Sequence, residues 1–240
     1  MVEYVCVVCA IFFAKLILDV VLKKKTPVDI LLIPLLFVIS SYLVYLIVYK
    51  PIQTATNAIG EFIVWATTVQ PFLMGIIISV VMGMILTAPI SSAAIAIAIN
   101  LGGLAGGAAV VGCCVQMLGF AVMSRKDNNI GTVISIAIGT SMLQFKNILK
   151  KPIIWLPTII VSAILGPLVT LVFKTETTSL GSGMGTSGLV GQFETFAAMK
   201  NANPWPSIIV LQIILPIVLV YIVDLIFRRA GLIKEGDLKI

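Results

Sequence analysis

The feature that most constrains this chain is its set of nearly uncharged apolar stretches, several of them about 18 residues or longer. A helix needs about 20 residues to cross a hydrocarbon core about 30 Å thick. Inside that core no water is present to satisfy backbone N–H and C=O groups, so a crossing segment must be a helix or part of a closed barrel. Barrel strands alternate apolar and polar residues, and these stretches are continuous instead. Composition agrees: 60% of the residues are hydrophobic and 11% charged, against about 25% charged in a soluble domain. The expectation is an all-α polytopic membrane protein whose first partner is the lipid bilayer.

Read along the chain, the spans are not uniform. Val2 to Leu22 and Ile30 to Tyr49 form two runs separated by Lys23-Lys24-Lys25. Pro51 to Gln70 is more polar, with Gln53, Asn57, Glu61, Thr67 and Thr68, and reads as an amphipathic approach helix. Pro71 opens a third run that stops at Ala88-Pro89. Ile90 to Ser124 is apolar but dense in Gly, Ala and Ser, too short for two ordinary spans and too long for one. It reads as a broken pair of short helices or as a re-entrant hairpin followed by a full span, because small residues let backbones approach closely. Ile130 to Leu143 has the length of an interfacial or re-entrant element, whereas Ile153 to Phe173 and Ile208 to Phe227 are clear spans. Between the last two lies GSGMGTSGLVGQ, Gly181 to Gln192, too rich in glycine for a regular lipid-facing helix.

The net charge of +6 does not point to nucleic acid, because the basic residues sit between spans. Twelve of the sixteen Lys and Arg fall at 23–25, 125–126, 146–151 and 228–239. Excess Lys and Arg mark cytoplasmic loops, so the expected orientation has the N-terminus outside and the C-terminus in the cytoplasm.

Ionisable groups within a membrane are costly and therefore informative. Lys15 and Asp19 stand four apart on the first span, as do Asp224 and Arg228 on the last, and each reads as a pair on one helix face. Glu61 shares a helix face with Asn57 and Trp65. Glu194 follows the glycine-rich stretch; a carboxylate there suits a hydroxylated ligand or a proton, and equally a wet loop end. The glycine-rich stretch lacks the lysine of a P-loop and follows no strand, so ATP is not expected. Its backbone amides could face an anion or a polar head group, or simply make a tight turn. Cys6 and Cys9 form a CxxC within an apolar run, and Cys113 and Cys114 are adjacent in another. All four read as small buried hydrophobes, not metal or redox groups. The chain has no histidine at all, which removes the commonest general base and metal ligand and any histidine-activated nucleophile. Neither a catalytic residue nor a cofactor nor a bound metal is expected of it.

Three segments carry a resemblance: TAPISSAAIAIAINLGGLAGGAAVVGCCVQMLGFAV (87–122), GTSMLQFKNILKKPIIWLPTIIVSAILGPLVTLVF (139–173) and GSGMGTSGLVGQ (181–192). They resemble the membrane subunit of bacterial sugar phosphotransferase systems, and most of all the standalone EIIC-like family. The likeness is dense from about Gln70 to Gln192. It implies an EIIC-like transporter fold with re-entrant hairpins, in a homodimer of the bacterial inner membrane, with a substrate site enclosed by the hairpins. On this resemblance residues 1–70 are N-terminal spans and a linker helix, 71–227 the transport core and 228–240 a cytoplasmic tail. The implied lining comprises Asn100, Gln116, Asn147, Thr186, Gln192 and Glu194, with Gly183, Gly185 and Ser187 of the glycine-rich loop.

The chain departs from the pattern twice. Family members usually begin with additional spans, and sugar-carrying C subunits tend to use a histidine and a glutamate at the sugar, of which only the glutamate is available here. The resemblance thus implies a sugar permease whose substrate is phosphorylated by soluble phosphocarrier subunits. Its alternative is a protein that keeps the fold and binds a lipid or other amphipathic ligand. A passive channel would need a continuous polar stripe, which the sequence lacks.

Overall fold

The computed structural model describes residues 11, 12, 15, 29–200 and 202–240. The chain divides into two compact units, 1–61 and 62–240. Apart from Ile11, Phe12 and Lys15, the first expected span lies outside the described residues, as do the CxxC and Asp19.

Helix α1 runs from Asp29 to Thr67 with Pro34 and Pro51 inside it. The polar stretch expected as a separate approach helix is therefore continuous with the run before it. Leu35, Val38, Ile39, Leu43, Leu46 and Ile47 are exposed on its first-unit portion, which suits contact with hydrocarbon.

In the second unit, α2 (Pro71–Thr87) starts on a proline, which lacks an N–H where a helix needs none. It stops before Pro89, whose ring disfavours helix in the residue ahead. About two turns of helix follow, α3 (Ser92–Ala98), capped by the Ser91 hydroxyl accepting from the Ala94 amide at 3.2 Å. After a break at 99–102 comes α4 (Gly103–Ser124). The region expected as either two short helices or a hairpin and a span is thus one short helix followed by one of full length. Next are α5 (Ile130–Gly139) and α6 (Phe145–Lys150), then α7 (Pro152–Phe173). A one-turn helix α8 (Ser179–Ser182), a short α9 (Val190–Ala198) and α10 (Ser207–Arg229) complete the set.

Among the described residues, α4, α7 and α10 are long and apolar enough to cross a membrane, and α2 and α5 are shorter apolar helices. Their apolar windows are 89%, 44% and 33% buried in that order. Helix α4 is therefore the core, and α7 and α10 keep apolar faces available to lipid. This is an all-α membrane protein.

Lipid tails are as apolar as leucine, so helices here gain little from water exclusion and depend on close packing. The sequence provides for that with glycine. A methyl group on Gly112 would stand 1.9 Å from the Ser79 carbonyl oxygen of α2, and one on Gly166 of α7 would stand 2.2 Å from that of Gly75. Polar groups tie the same seams: the Ser79 hydroxyl donates to the Ser162 carbonyl at 2.7 Å, and Thr170 to that of Pro71 at 2.8 Å. Arg228 of α10 grips its i−4 partner Asp224 at 2.9 Å and donates to the Met123 carbonyl at 2.8 Å. The expected Asp224–Arg228 pair thus joins the end of α10 to the end of α4.

Candidate functional site

Two interruptions of regular helix lie against each other. One is the break between α3 and α4; the other runs from Lys174 to Leu189. Backbone groups freed by such breaks must find partners at membrane depth, and here they find one another. The Gly103 amide donates to the Thr177 carbonyl at 2.9 Å, and the Thr177 amide returns a bond to Gly103 at 3.3 Å. The Ser182 hydroxyl donates to the Leu101 carbonyl, and Ser92 donates to the Gly183 carbonyl at 2.6 Å. All three described non-glycine residues with left-handed backbone lie in these two breaks: Asn100 (φ 52), Lys174 (φ 45) and Leu189 (φ 60). Such conformations persist only where the surroundings enforce them, and they gather at functional sites.

The glycine-rich loop is seated, not free. Gly183 rests on the backbone of Ser92 and Ala93, where a methyl would stand 2.5 Å from the Ala93 nitrogen. Gly185 rests on Cys113, with no room for a methyl beyond 2.8 Å, and has a positive φ of 55°. The Thr186 hydroxyl donates to the Ala137 carbonyl at 2.6 Å and Ser187 to that of Gly139 at 2.9 Å. Amides of Met184, Ser187, Leu189 and Gly191 all donate within the loop, so these four do not face an anion. Gln192 closes the seat, its amide nitrogen 3.4 Å from the Cys114 sulfur.

The structure brings Gly183, Gly185, Thr186, Ser187 and Gln192 together, and the other four expected residues stand elsewhere. Glu194 is two residues beyond Gln192 and packs on Gly181 at the start of the glycine-rich stretch, where Thr178 donates to its carboxylate at 2.5 Å. Asn100 is exposed on a cleft of about 220 Å³ lined by Val64, Thr67, Ile99, Leu101, Gly102 and Ala105. Asn147 is buried and donates to Gln144 at 2.8 Å and to the Lys239 carbonyl at 3.0 Å. Gln116 lies between α2 and α7. Its amide oxygen accepts from Trp155 and Thr158, each at 3.0 Å, and from Thr87 at 3.2 Å. An indole N–H only donates, so the atom facing Trp155 is the oxygen. The Gln116 NH₂ group is thereby turned away, and it is buried with no protein partner.

The sequence reading missed two residues. Gln212 of α10 is fully buried and donates to Thr195 at 2.8 Å, and Thr195 in turn donates to the Gly191 carbonyl at 2.7 Å. The amide oxygens of Gln192 and Gln212 are both buried without a donor. A glutamine isolated in the run IIVLQIILP was the available signal, since a polar group there is costly unless used. Chemically the seat of the glycine-rich loop offers neutral donors and acceptors with Glu194 beside it, while Lys174 and the exposed Glu176 stand at the start of the break. Among the described residues no cluster of His, Cys, Asp and Glu could hold a metal ion. Such a lining suits a hydroxylated neutral ligand better than a charged one.

No curated protein and no solved structure matches the chain. A family description does match, "Phosphotransferase system, EIIC", over residues 2–240. The likeness therefore reaches well beyond the 70–192 stretch that carries it to the eye, and takes in the N-terminal runs as well. With a match over almost its whole length, joined to an apolar helical fold, the chain belongs to the phosphotransferase system EIIC family and is a membrane component of that type of transport system.

Proposed function

We propose that this chain translocates a sugar or related polyol that separate soluble subunits phosphorylate, and that the substrate binds where the two helix breaks meet. The observation that carries this is the reciprocal Gly103–Thr177 pairing with the glycine-rich loop seated behind it. Discontinuous helices apposed within a membrane fold are where transporters place their substrates. Glu194, Gln192 and Thr186 are the nearest polar lining on this reading, with Gly183, Gly185 and Ser187 shaping the loop. Gln116 and Asn100 contribute from α4 and the cleft, and Asn147 acts at a distance. With no histidine in the chain, the phosphoryl group comes from a partner, and the basic 125–151 region is the face it would meet. A homodimer in a bacterial inner membrane with a cytoplasmic C-terminus completes the proposal, supported by the basic loops.

A second reading is favoured by the cleft at Asn100, whose walls include Val64, Ile99, Leu101 and Ala105. Its volume of about 220 Å³ falls below the roughly 300–1,000 Å³ of drug-sized sites, and it fits a slender acyl chain with Asn100 at a head group. One experiment separates the two. Purified protein in nanodiscs is examined by native mass spectrometry and titrated with a sugar panel, alongside Glu194→Gln. The sugar reading predicts saturable binding that weakens by roughly tenfold on losing a charged hydrogen-bonding group. A retained acyl chain with no sugar binding overturns it, and unchanged affinity in Glu194→Gln removes that residue from the site.

A further inference from the structure

Residues 230–240 follow α10 and lie back against the protein. Leu238 is fully buried and Ile233 is 2% exposed. The Asp127 carboxylate, on the loop between α4 and α5, accepts from the amides of Gly236 at 3.0 Å and Leu238 at 3.2 Å. Asn128 accepts from the Ile240 amide at 2.9 Å and donates to the Leu238 carbonyl at 2.7 Å. Amides at 237 and 239 close turns onto Lys234 and Gly236, so those of 236, 238 and 240 are left to meet the loop. On the opposite flank Gln144 donates to the Leu238 carbonyl at 2.9 Å, Asn147 to that of Lys239 at 3.0 Å, and Lys151 pairs with Asp237 at 2.6 Å. The segment thus straps the 127–128 loop to the 144–151 stretch.

The residues just before that stretch hold the glycine-rich loop. Ala137 and Gly139, at the end of α5, accept the Thr186 and Ser187 hydroxyls. Ser141 and Thr87 share a hydrogen bond at 2.9 Å, and Thr87 leads to Gln116. From strap to site the connection is therefore continuous through 137–147. Such a chain couples two places only if it has two arrangements that each can bias. The strap is held chiefly by side chains at 127–128 and 144–151 and lies outside any helix, so a change in its seating unwinds none.

We propose that residues 233–240 are a built-in latch on the candidate site. Seated, the latch holds 137–151 against loop 183–187; released, it lets that loop lift from Cys113. The proposal rests on the reading of the loop as part of the site.

Its test uses the full chain in nanodiscs, with two readouts. Hydrogen exchange at the amides of Gly236, Leu238 and Ile240 reports the latch. Labelling of Cys113 by a small thiol reagent, resolved by peptide from the other cysteines, reports lifting of Gly185. In a D127A/N128A double variant, loss of these bonds raises exchange roughly tenfold, and Cys113 labelling accelerates with it. Wild-type amides already exchanging at the unprotected rate overturn the latch. A freed strap with unchanged Cys113 labelling overturns the coupling. Should the double variant fail to fold, Lys151→Gln removes one peripheral bond and is read in the same two ways. Faster labelling in a protein that binds no sugar would sink the site reading and leave the latch standing.

Discussion

Gly107→Ala is the sharpest perturbation of the paired breaks. A methyl on Gly107 would stand 1.8 Å from the Thr175 carbonyl oxygen and 2.7 Å from its carbon. Ordinary van der Waals contact begins at 3.4 Å, so the 174–178 segment must back away by about 1.6 Å. Both neighbours are backbone, and neither can turn aside as a flexible side chain would. A shift of that size takes the 2.9 and 3.3 Å bonds between Gly103 and Thr177 beyond hydrogen-bonding range. Each lost bond costs about 0.5–1.5 kcal/mol, and overpacking adds about 1–3 kcal/mol. Local opening should therefore ease by about 2–6 kcal/mol, and even the lower figure corresponds to roughly thirtyfold faster exchange. The assay is hydrogen exchange at the Gly103 and Thr177 amides, with sugar binding measured in parallel. Gly139→Ala is the control, because nothing lies within 4 Å of the added methyl. Protection within about twofold of wild type in Gly107→Ala would refute the argument that backbone contact holds the two breaks together.

Gln116→Leu leaves the part-buried Trp155 N–H without its acceptor while Thr158 can turn to the Trp155 carbonyl at 2.9 Å; one orphaned donor of this kind should cost about 1 kcal/mol, read as a lowered Tm in detergent, and an unchanged Tm would contradict the hydrogen-bond assignment. The strap should respond to acid through Asp237. Burial alone would raise its carboxyl, but bonds from Lys151 and the Lys234 amide, with the charges of Lys151 and Arg228, hold it below its ordinary value of 3.8. A depressed folded value means this contribution is complete above pH 3.8 and fades as pH falls through the lower folded one. Strap amides should keep their protection at pH 5 and lose part of it only in stronger acid, and Lys151→Met should flatten that dependence.

Much of the fold was legible because membrane helices announce themselves by length and continuity. The runs at 153–173 and 208–227 emerge as helices at Pro152–Phe173 and Ser207–Arg229. Glycine density in 181–192 marked a place where regular helix fails, whereas in 90–124 all the glycines but Gly102 lie within helix α4, and most of them serve close packing. What could not be read was the pairing of the two breaks, since Gly103 meets Thr177 through backbone atoms that every residue carries. Asn147 shows the same limit from the other direction: a lone asparagine among lysines fits a ligand site on paper, yet in the fold it holds the Lys239 carbonyl. Nor does the sequence of 228–240 look like anything but a tail. Its anchoring depends on Asp127, Asn128 and Gln144, about a hundred residues away. The polar stretch at 51–70 continues α1 without a break as far as Thr67, even past Pro51.

The central claim is that the paired breaks form a substrate site, and a density map of the purified protein with its bound sugar tests it most directly. The account predicts a sugar held between 92–103 and 177–194, within hydrogen-bonding reach of Gln192 or Glu194. An acyl chain in that position, or a sugar bound away from both breaks, would contradict it.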